Sequence, residues 1–320
     1  MGYTLIITNP DEPVVQLVLN ELETLRQPYF IFYPHLFPIR DFLSFSFDGS
    51  LGGKLTICGI SRPLCEIESV WYWKPLPAAQ KSENVGYKKF IQNESRAALW
   101  SLYTSLEDRV WINDLLRANK LIEDNKMYQL RAAESIGLTI PATLISNDPR
   151  EVKYFVSKHQ KVAAKQLYTQ VFLDEGDPLL LYTNVITQQD VQGSERQIAA
   201  CPLFLQEYVE KAYELRITVV GERVFSAKID SQSLATSQHD WRKAGNELSY
   251  IPYSLPEEVS AKIKSLVKNL GLIYGAIDMI VTPDGDYVFL EINPNGRWGW
   301  IQDSCNFNIA KSLAEKLTKK

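Results

Sequence analysis

Apolar positions in the opening part of this 320-residue chain change their period twice. A short apolar run at about Tyr3–Ile7 predicts a strand, and Val14, Leu17, Val18, Leu22 and Leu25 then keep the spacing of one helix face. A second apolar run covers Tyr29–Tyr33, so the opening reads β-α-β and predicts a small parallel sheet. Ser44–Asp48 and Lys54–Cys58 flank Gly49-Ser-Leu-Gly-Gly53 and read as a hairpin, with Val70–Trp73 as a further buried strand. A helix is expected from about Lys88 to Glu107, with Phe90, Ile91, Ala98, Leu102 and Leu106 on its apolar side.

The pattern turns polar at Ile112–Asn119, where we expect a domain boundary. Asp124 is then the expected cap of a helix that runs to Ile136 and closes at Gly137. Strands follow at Ala142–Ile145, Lys161–Lys165, Leu203–Glu207, Glu214–Val220 and Val224–Ile229, with a helix at about Arg150–His159. From Pro256, in the first turn of another helix, Val259, Ile263, Leu266 and Leu270 share a face that ends at Gly271. A last hairpin, Ala276–Thr282 and Tyr287–Ile292, leads to a terminal helix carrying Ile309, Leu313 and Leu317.

That hairpin is the most informative segment. Asp284-Gly285 is a strong signal for a two-residue turn, and Pro283 paired with Asp286 brings Asp278 directly opposite Glu291. Asn293 has the parity of Glu291 and points the same way, which gathers three oxygen-bearing side chains on one sheet face. Ile277, Met279, Leu290 and Ile292 are expected on the other, packed face. Two facing carboxylates repel unless something neutralises them, and a hard divalent cation such as Mg²⁺ suits two carboxylates and an amide. A solvated acidic pair beside a turn is the plainer alternative.

Composition narrows the partners. A net charge of −4 from 34 basic and 38 acidic residues argues against general nucleic-acid binding. No apolar stretch is long enough to span a membrane. The segment from Met1 lacks a basic start and meets Asp11, Glu12 and Pro13 at once, so no secretory signal is expected and the cytoplasm is the expected location. Four scattered cysteines and three histidines encourage neither a disulfide framework nor a zinc site.

Asp278 followed by Glu291-Ile-Asn-Pro294 resembles the metal-binding end of the ATP-grasp superfamily. Gln206-Glu-Tyr-Val209 resembles its interdomain hinge, and Glu214-Leu-Arg216 its acidic-x-Arg element. Lys126 and Lys165 resemble the two lysines that grip ATP phosphates, and Asp240-Trp-Arg242 a loop whose Arg steadies an acyl phosphate. The resemblance implies an α/β (α+β) chain with an N-terminal α/β pre-ATP-grasp domain at 1–118, a central subdomain at 119–205 and a C-terminal antiparallel-sheet subdomain at 206–320. It implies Mg²⁺, as two ions, at Asp278, Glu291 and Asn293. ATP would be bound by Lys126, Lys165, Glu207, Tyr208, Val209 and Glu214, and Arg216 and Arg242 would act in catalysis.

Val70-Trp-Tyr-Trp73, Leu121–Leu130, Asp240-Trp-Arg-Lys243 and Tyr274-Gly-Ala-Ile-Asp-Met-Ile280 narrow the resemblance to the ligases that cyclise microviridin-type ribosomal peptides. These join Asp or Glu side chains of a precursor peptide to Thr or Ser hydroxyls, or to Lys, after binding its leader through the central domain. A homodimer is also implied. The chain departs from the superfamily pattern after Lys165, where Gln166-Leu-Tyr-Thr-Gln-Val-Phe172 and Asp174-Glu-Gly-Asp177 replace a glycine-rich loop and read as a hairpin lid. Beyond Pro294, Arg297 is a candidate for holding an acidic peptide, whereas Trp298 and Trp300 read as packing. Three alternatives stay open: addition of amino acids to a peptide end, a kinase on the same fold, and a peptide-binding module without catalysis.

Overall fold

The computed structural model describes residues 2–78, 84–168, 171–174, 177–180 and 182–318. Its first strands are β1 (Tyr3–Ile7) and β2 (Tyr29–Phe32), joined by helix α1 (Pro13–Thr24). A three-stranded sheet follows, β3 (Phe42–Asp48), β4 (Ser50–Ile57) and β5 (Ile60–Pro63), before β6 (Ile67–Tyr72), α2 (Val85–Thr104) and β7 (Val110–Ile112). β2, β1, β6 and β7 form one parallel sheet in that order, as a β-α-β opening demands. The small hairpin turns at Gly49 alone, since Asp48 already pairs with Ser50. Residues 50–53 therefore lie in the strand rather than in the turn, and β5 was not legible because it is short and exposed.

Two further expectations change here. Phe90 is 61% exposed, because α2 buries Ser95, Leu99, Leu102 and Tyr103 instead. The face therefore begins about one turn later than the apolar pattern suggests. The helix after the polar stretch, α3 (Lys126–Ser135), is capped not by Asp124 but by Asn125, whose side chain accepts from the Tyr128 amide. Directly before it, Leu116–Glu123 forms a π-helical segment.

β8 (Thr143–Ser146), α4 (Pro149–His159), β9 (Val162–Lys165), β10 (Val171–Asp174), β11 (Asp177–Leu180), β12 (Asn184–Ile186), α5 (Gln188–Val191), α6 (Glu195–Ala200) and β13 (Leu203–Glu207) come next. β12, β9, β13 and β8 make an antiparallel sheet with its own small core of Val152, Val156, Val162, Ile198 and Leu205. β10 and β11 pair with each other as a separate hairpin, while Thr169, Gln170, Glu175, Gly176 and Leu181 lie outside the described residues.

The last part holds β14 (Tyr213–Val220), β15 (Arg223–Ile229), β16 (Tyr250–Pro252), α7 (Glu257–Asn269), β17 (Tyr274–Val281), β18 (Tyr287–Asn293), α8 (Gly299–Cys305) and α9 (Ile309–Thr318). Its antiparallel sheet runs β16-β15-β14-β17-β18.

Burial decides which parts are joined. α9 lays Ile309, Leu313 and Leu317 against Val18 and Leu22 of α1 and against Trp71, in a core that also holds Tyr274 and Trp298. Each such side chain stabilises by about 1.5–3 kcal/mol. Asn113 adds a polar tie: its side chain accepts from the Ile273 and Tyr274 amides at 2.8 Å and donates to the Tyr274 and Pro294 carbonyls. The first and last sheets are thus one block, and the β8–β9–β12–β13 sheet faces them across a cleft. Among the described residues no helix is long and apolar enough to cross a membrane.

Candidate active site

Three neighbouring strands place one row of charge. Arg216 on β14 pairs in register with Asp278 on β17, which pairs with Glu291 on β18. The facing of the two acids arises differently from the sequence expectation. The turn spans Pro283, Asp284 and Gly285, with Gly285 at φ +90, and Thr282 rather than Pro283 bonds to Asp286. Pairing from that turn runs Val281 to Tyr287 and Met279 to Phe289, and a β-bulge then inserts Leu290 before Asp278 meets Glu291. One register slip cancels the other. Leu290 consequently lies along the cleft, correcting its expected place in the core, and Phe289 is fully buried there instead.

The row extends at both ends. Lys126, in the first turn of α3, donates to Glu291 Oε2 at 2.7 Å. Arg216 bonds both oxygens of Asp278 at 3.0 Å and the Arg297 carbonyl at 3.0 Å. Order along the sheet is therefore Arg⁺, Asp⁻, Glu⁻, Lys⁺, so the two acids already have cationic neighbours. Gly296 makes room for this: a Cβ there would stand 2.7 Å from Arg216 Nη2 and 2.6 Å from the Ala276 side chain. Asn293 donates to Glu291 Oε1 at 3.0 Å, which turns its amide oxygen away from Glu291.

Burial and partners shift these groups in opposite senses. Burial pushes the Asp278 carboxyl up, with Arg216 pulling it back and Glu291 adding to the rise. Glu291 is held below the usual carboxylate range because Lys126, Asn293 and Lys165 outweigh its own burial. Burial lowers Lys165, whose ammonium donates to Gln206 Oε1 at 2.7 Å. Asp240 is buried, which alone would raise it, but the Arg242 fork and the Thr183 and Arg242 amides hold it at about 2.

A cleft of about 670 Å³ collects all of these groups. Lys126, Lys165, Glu207, Tyr208, Val209, Glu214, Arg216, Arg242, Asp278, Glu291 and Asn293 each line it. At the end lined by Glu207 and Tyr208, Tyr208 Oη and His239 Nδ1 are 3.1 Å apart and the Glu207 carboxylate is 3.3 Å from His159 Nδ1. The Glu207 and Tyr208 amides are spent on the Ala142 and Lys161 carbonyls. Tyr182 and Thr183, where the β10–β11 hairpin returns, also border the cleft. Trp300 packs at 4.5 Å on Tyr250 and 5.1 Å on Trp241, and Trp298 is fully buried.

Sequence reasoning missed several lining residues. Lys211 donates to Glu214 at 2.6 Å, and only proximity along the chain hinted at it. Lys74 and Glu123 line the cleft from the side of the first sheet. Lys74 stands two residues past the end of the buried parallel strand β6, and the carboxyl ends of such strands are where open sheets place ligands. That signal was available.

The donor set at β17 and β18 fits a hard cation. The Asp278 and Glu291 carboxylates would supply oxygens to such a cation, and the Asn293 amide a third once it gives up its bond to Glu291. Among the described residues no group of three His, Cys, Asp or Glu is placed to hold a metal ion.

Residues 116–317 match the family model described as RimK-like ATP-grasp domain. No curated protein matches the chain. Among solved structures, a RiPP-associated ATP-grasp ligase from Chryseobacterium gregarium, in complex with ADP and a leader and core peptide, is 31% identical over 99% of this chain and 96% of its own, with a TM-score of 0.91. The macrocyclase MdnC from Microcystis aeruginosa MRC, bound with precursor peptide MdnA, is 30% identical over 99% of this chain and 100% of its own, with a TM-score of 0.87. MdnB from the same organism is 26% identical over the full length of both chains, with a TM-score of 0.81.

Proposed function

Because this chain belongs to the RimK-like ATP-grasp ligases, we propose that it activates Asp or Glu side chains of a ribosomal precursor peptide as acyl phosphates. It then closes them onto Thr or Ser hydroxyls as esters, or onto Lys as amides, in the manner of microviridin maturation. The observation that carries this reading is the in-register row of Arg216, Asp278 and Glu291, continued by Lys126. It sets cations on either side of a carboxylate pair inside a cleft large enough for a nucleotide.

In this reading adenine lies against the Tyr208–Val209 peptide, Glu214 takes the ribose hydroxyls, and Lys126 and Lys165 hold phosphates. Asp278, Glu291 and Asn293 would hold Mg²⁺, as two ions, which when bound offsets the charge of the phosphates. Lys126 and Arg216, now paired with carboxylates, would turn toward phosphate oxygens as the nucleotide enters. Arg216 and Arg242 then face charge that grows on the transferred group, and donors fixed before reaction stabilise it without reorganising. Asp240 holds the Arg242 fork and the Thr183 amide together, so the β10–β11 hairpin and the anion-binding loop share an anchor. We place the leader segment on the central unit beside that hairpin, the hairpin itself as a lid, and the reaction in the cytoplasm, where ATP is available.

The likeness to chains complexed with leader, core or precursor peptides supports a peptide substrate. The test is mass spectrometry of MdnA and a panel of leader-bearing peptides rich in Asp, Glu, Thr, Ser and Lys, incubated with the protein, ATP and Mg²⁺. Loss of one water per ring with matching ADP release is expected. A gain of an amino-acid residue would replace cyclisation by addition, and a stable phosphate gain would replace it by a kinase.

A homodimer is part of the proposal. Phe42, Phe47, Leu51 and Ile60 on the small three-stranded sheet are each more than half exposed, more apolar surface than a lone sheet usually leaves to water. Light scattering giving the mass of a single chain would remove it.

A further inference from the structure

Beyond the carboxylate row the cleft runs on to an end bordered by Lys74, Glu123, Asn295 and Arg297, and the steps above give that end no task. Lys74 is aimed there by an unusual backbone: its φ is +45, and its carbonyl accepts from Asn9 Nδ2 at 2.7 Å. Such conformations are strained for a non-glycine residue and gather at functional sites. Glu123 ends the π-helical segment, another feature frequent at such sites.

Two carboxylates along the cleft, Glu123 and Asp124, have no ion-pair partner among the described residues, and of these Asp124 is exposed while Glu123 is half-buried. Around the cleft Asp278 is tied to Arg216, Glu291 to Lys126, Glu214 to Lys211 and Asp240 to Arg242, and the Glu207 carboxylate lies 3.3 Å from His159 Nδ1. Glu123 is half-buried, has no ion-pair partner among the described residues, and accepts only a long bond of 3.4 Å from Asn295 Nδ2. A cleft-lining carboxylate kept out of salt bridges has oxygens available to a ligand.

Resting on the acyl-phosphate reading, we propose that Glu123 is the proton acceptor for the attacking hydroxyl or amine, held in place by its bond from Asn295. As the acceptor oxygen bonds to the acyl carbon, its proton moves to a Glu123 carboxylate oxygen. The tetrahedral centre then collapses, the bond from carbon to the phosphate oxygen breaks, and phosphate leaves with the electron pair. Glu123 returns the proton to the departing phosphate and is again a carboxylate. A Lys acceptor first loses one proton to solvent and then follows the same course.

The surroundings suit this task. Burial pushes the Glu123 carboxyl up and Asp124 adds to the rise, while Asn295, Lys74 and Lys126 draw it down. Burial lowers the Lys74 ammonium, with Arg297 and Arg216 adding to the fall and Glu123 and Glu12 opposing it. A carboxylate raised above its usual range is the better base near neutral pH.

Hydroxylamine separates this role from the earlier step, because it is uncharged at neutral pH and captures an acyl phosphate as a hydroxamate without a base. The probe is MdnA, or whichever panel peptide the wild-type chain closes, with ATP, Mg²⁺ and hydroxylamine. In Glu123→Gln the ring product is expected to fall about 10²-fold or more, and the ratio of hydroxamate to ring to rise at least about tenfold over wild type. Glu123→Asp should restore part of the closure. The wild-type closure rate should climb as Glu123 loses its proton with rising pH, and Glu123→Gln should lack that limb. Hydroxamate and ring falling by one common factor, or closure within about threefold of wild type, would overturn the role. A wild-type chain giving neither hydroxamate nor ADP with any peptide would instead remove the acyl-phosphate reading, and Glu123's task with it.

Discussion

Glu291→Gln is expected to abolish ATP-dependent ring formation, with a loss of at least about 10³-fold in kcat/KM, or roughly 4 kcal/mol of transition-state stabilisation. Glu291 stands where three functions meet: it faces Asp278 across β17 and β18, receives Lys126 at 2.7 Å and receives Asn293 at 3.0 Å. The amide that replaces it keeps an oxygen for Lys126 but removes the charge a hard cation needs. Phosphate would then face Lys126, Lys165 and Arg216 with one fewer carboxylate to place the metal. Because Gln preserves shape and one hydrogen bond, Tm should move by only a few degrees. Ring product by mass spectrometry, ADP release and thermal unfolding are the measurements. Activity within tenfold of wild type would remove Glu291 from the metal set.

Arg216→Met should damage both chemistry and stability. Arg216 is 7% exposed in its side chain and Asp278 16%, at 3.0 Å, so the substitution leaves a buried carboxylate beside Glu291 with its main partner gone. Breaking such a pair costs about 3–5 kcal/mol, or a fall in Tm of about 4–8 °C for a chain of this size. The sign of the pH effect follows from protons bound. Asp278 is raised by burial and lowered by Arg216, so without Arg216 its native value rises further above the unfolded one. Between those two values the native state binds more protons than the unfolded chain, and stability therefore falls as pH rises through the window and recovers as pH drops. Urea unfolding of the variant from pH 5 to pH 8 should show this declining slope. A flat profile with an unchanged midpoint would mean that Asp278 is not held by Arg216. Arg216→Lys should recover part of the stability and less of the rate, since a lysine offers a charge without the planar fork.

Both predictions use residues that short motifs bring together. Glu214 and Arg216 share a strand face by alternation, and Asp278 and Glu291 face each other across a hairpin that the Asp284-Gly285 pair announces. The order of helices and strands was equally readable wherever an apolar period persisted, as in α1, α4, α7 and α9. Elements with little apolar content, such as β5 and the π-helical turn, left no such trace. Phe90 shows the converse: an apolar residue at helical spacing can still face water, since α2 buries Ser95, Leu99, Leu102 and Tyr103 instead.

The sequence by itself determined the alternation of elements, the residues that carry charge toward the cleft, and which strand faces they occupy, because those depend on spacings of two to four residues. Only the tertiary structure decided which charges pair, since that depends on strand neighbours far apart in the chain. Arg216 meets Asp278 across β14 and β17, and Lys126 reaches Glu291 from α3. It also decided that a bulge at Leu290 compensates for a longer turn, a choice made by packing Phe289 into the core rather than by any local preference. Lys74 and Glu123 lie beside Asn295 for the same reason: the buried contact of α1 with α9 and the bonds of Asn113 hold the first sheet against the last.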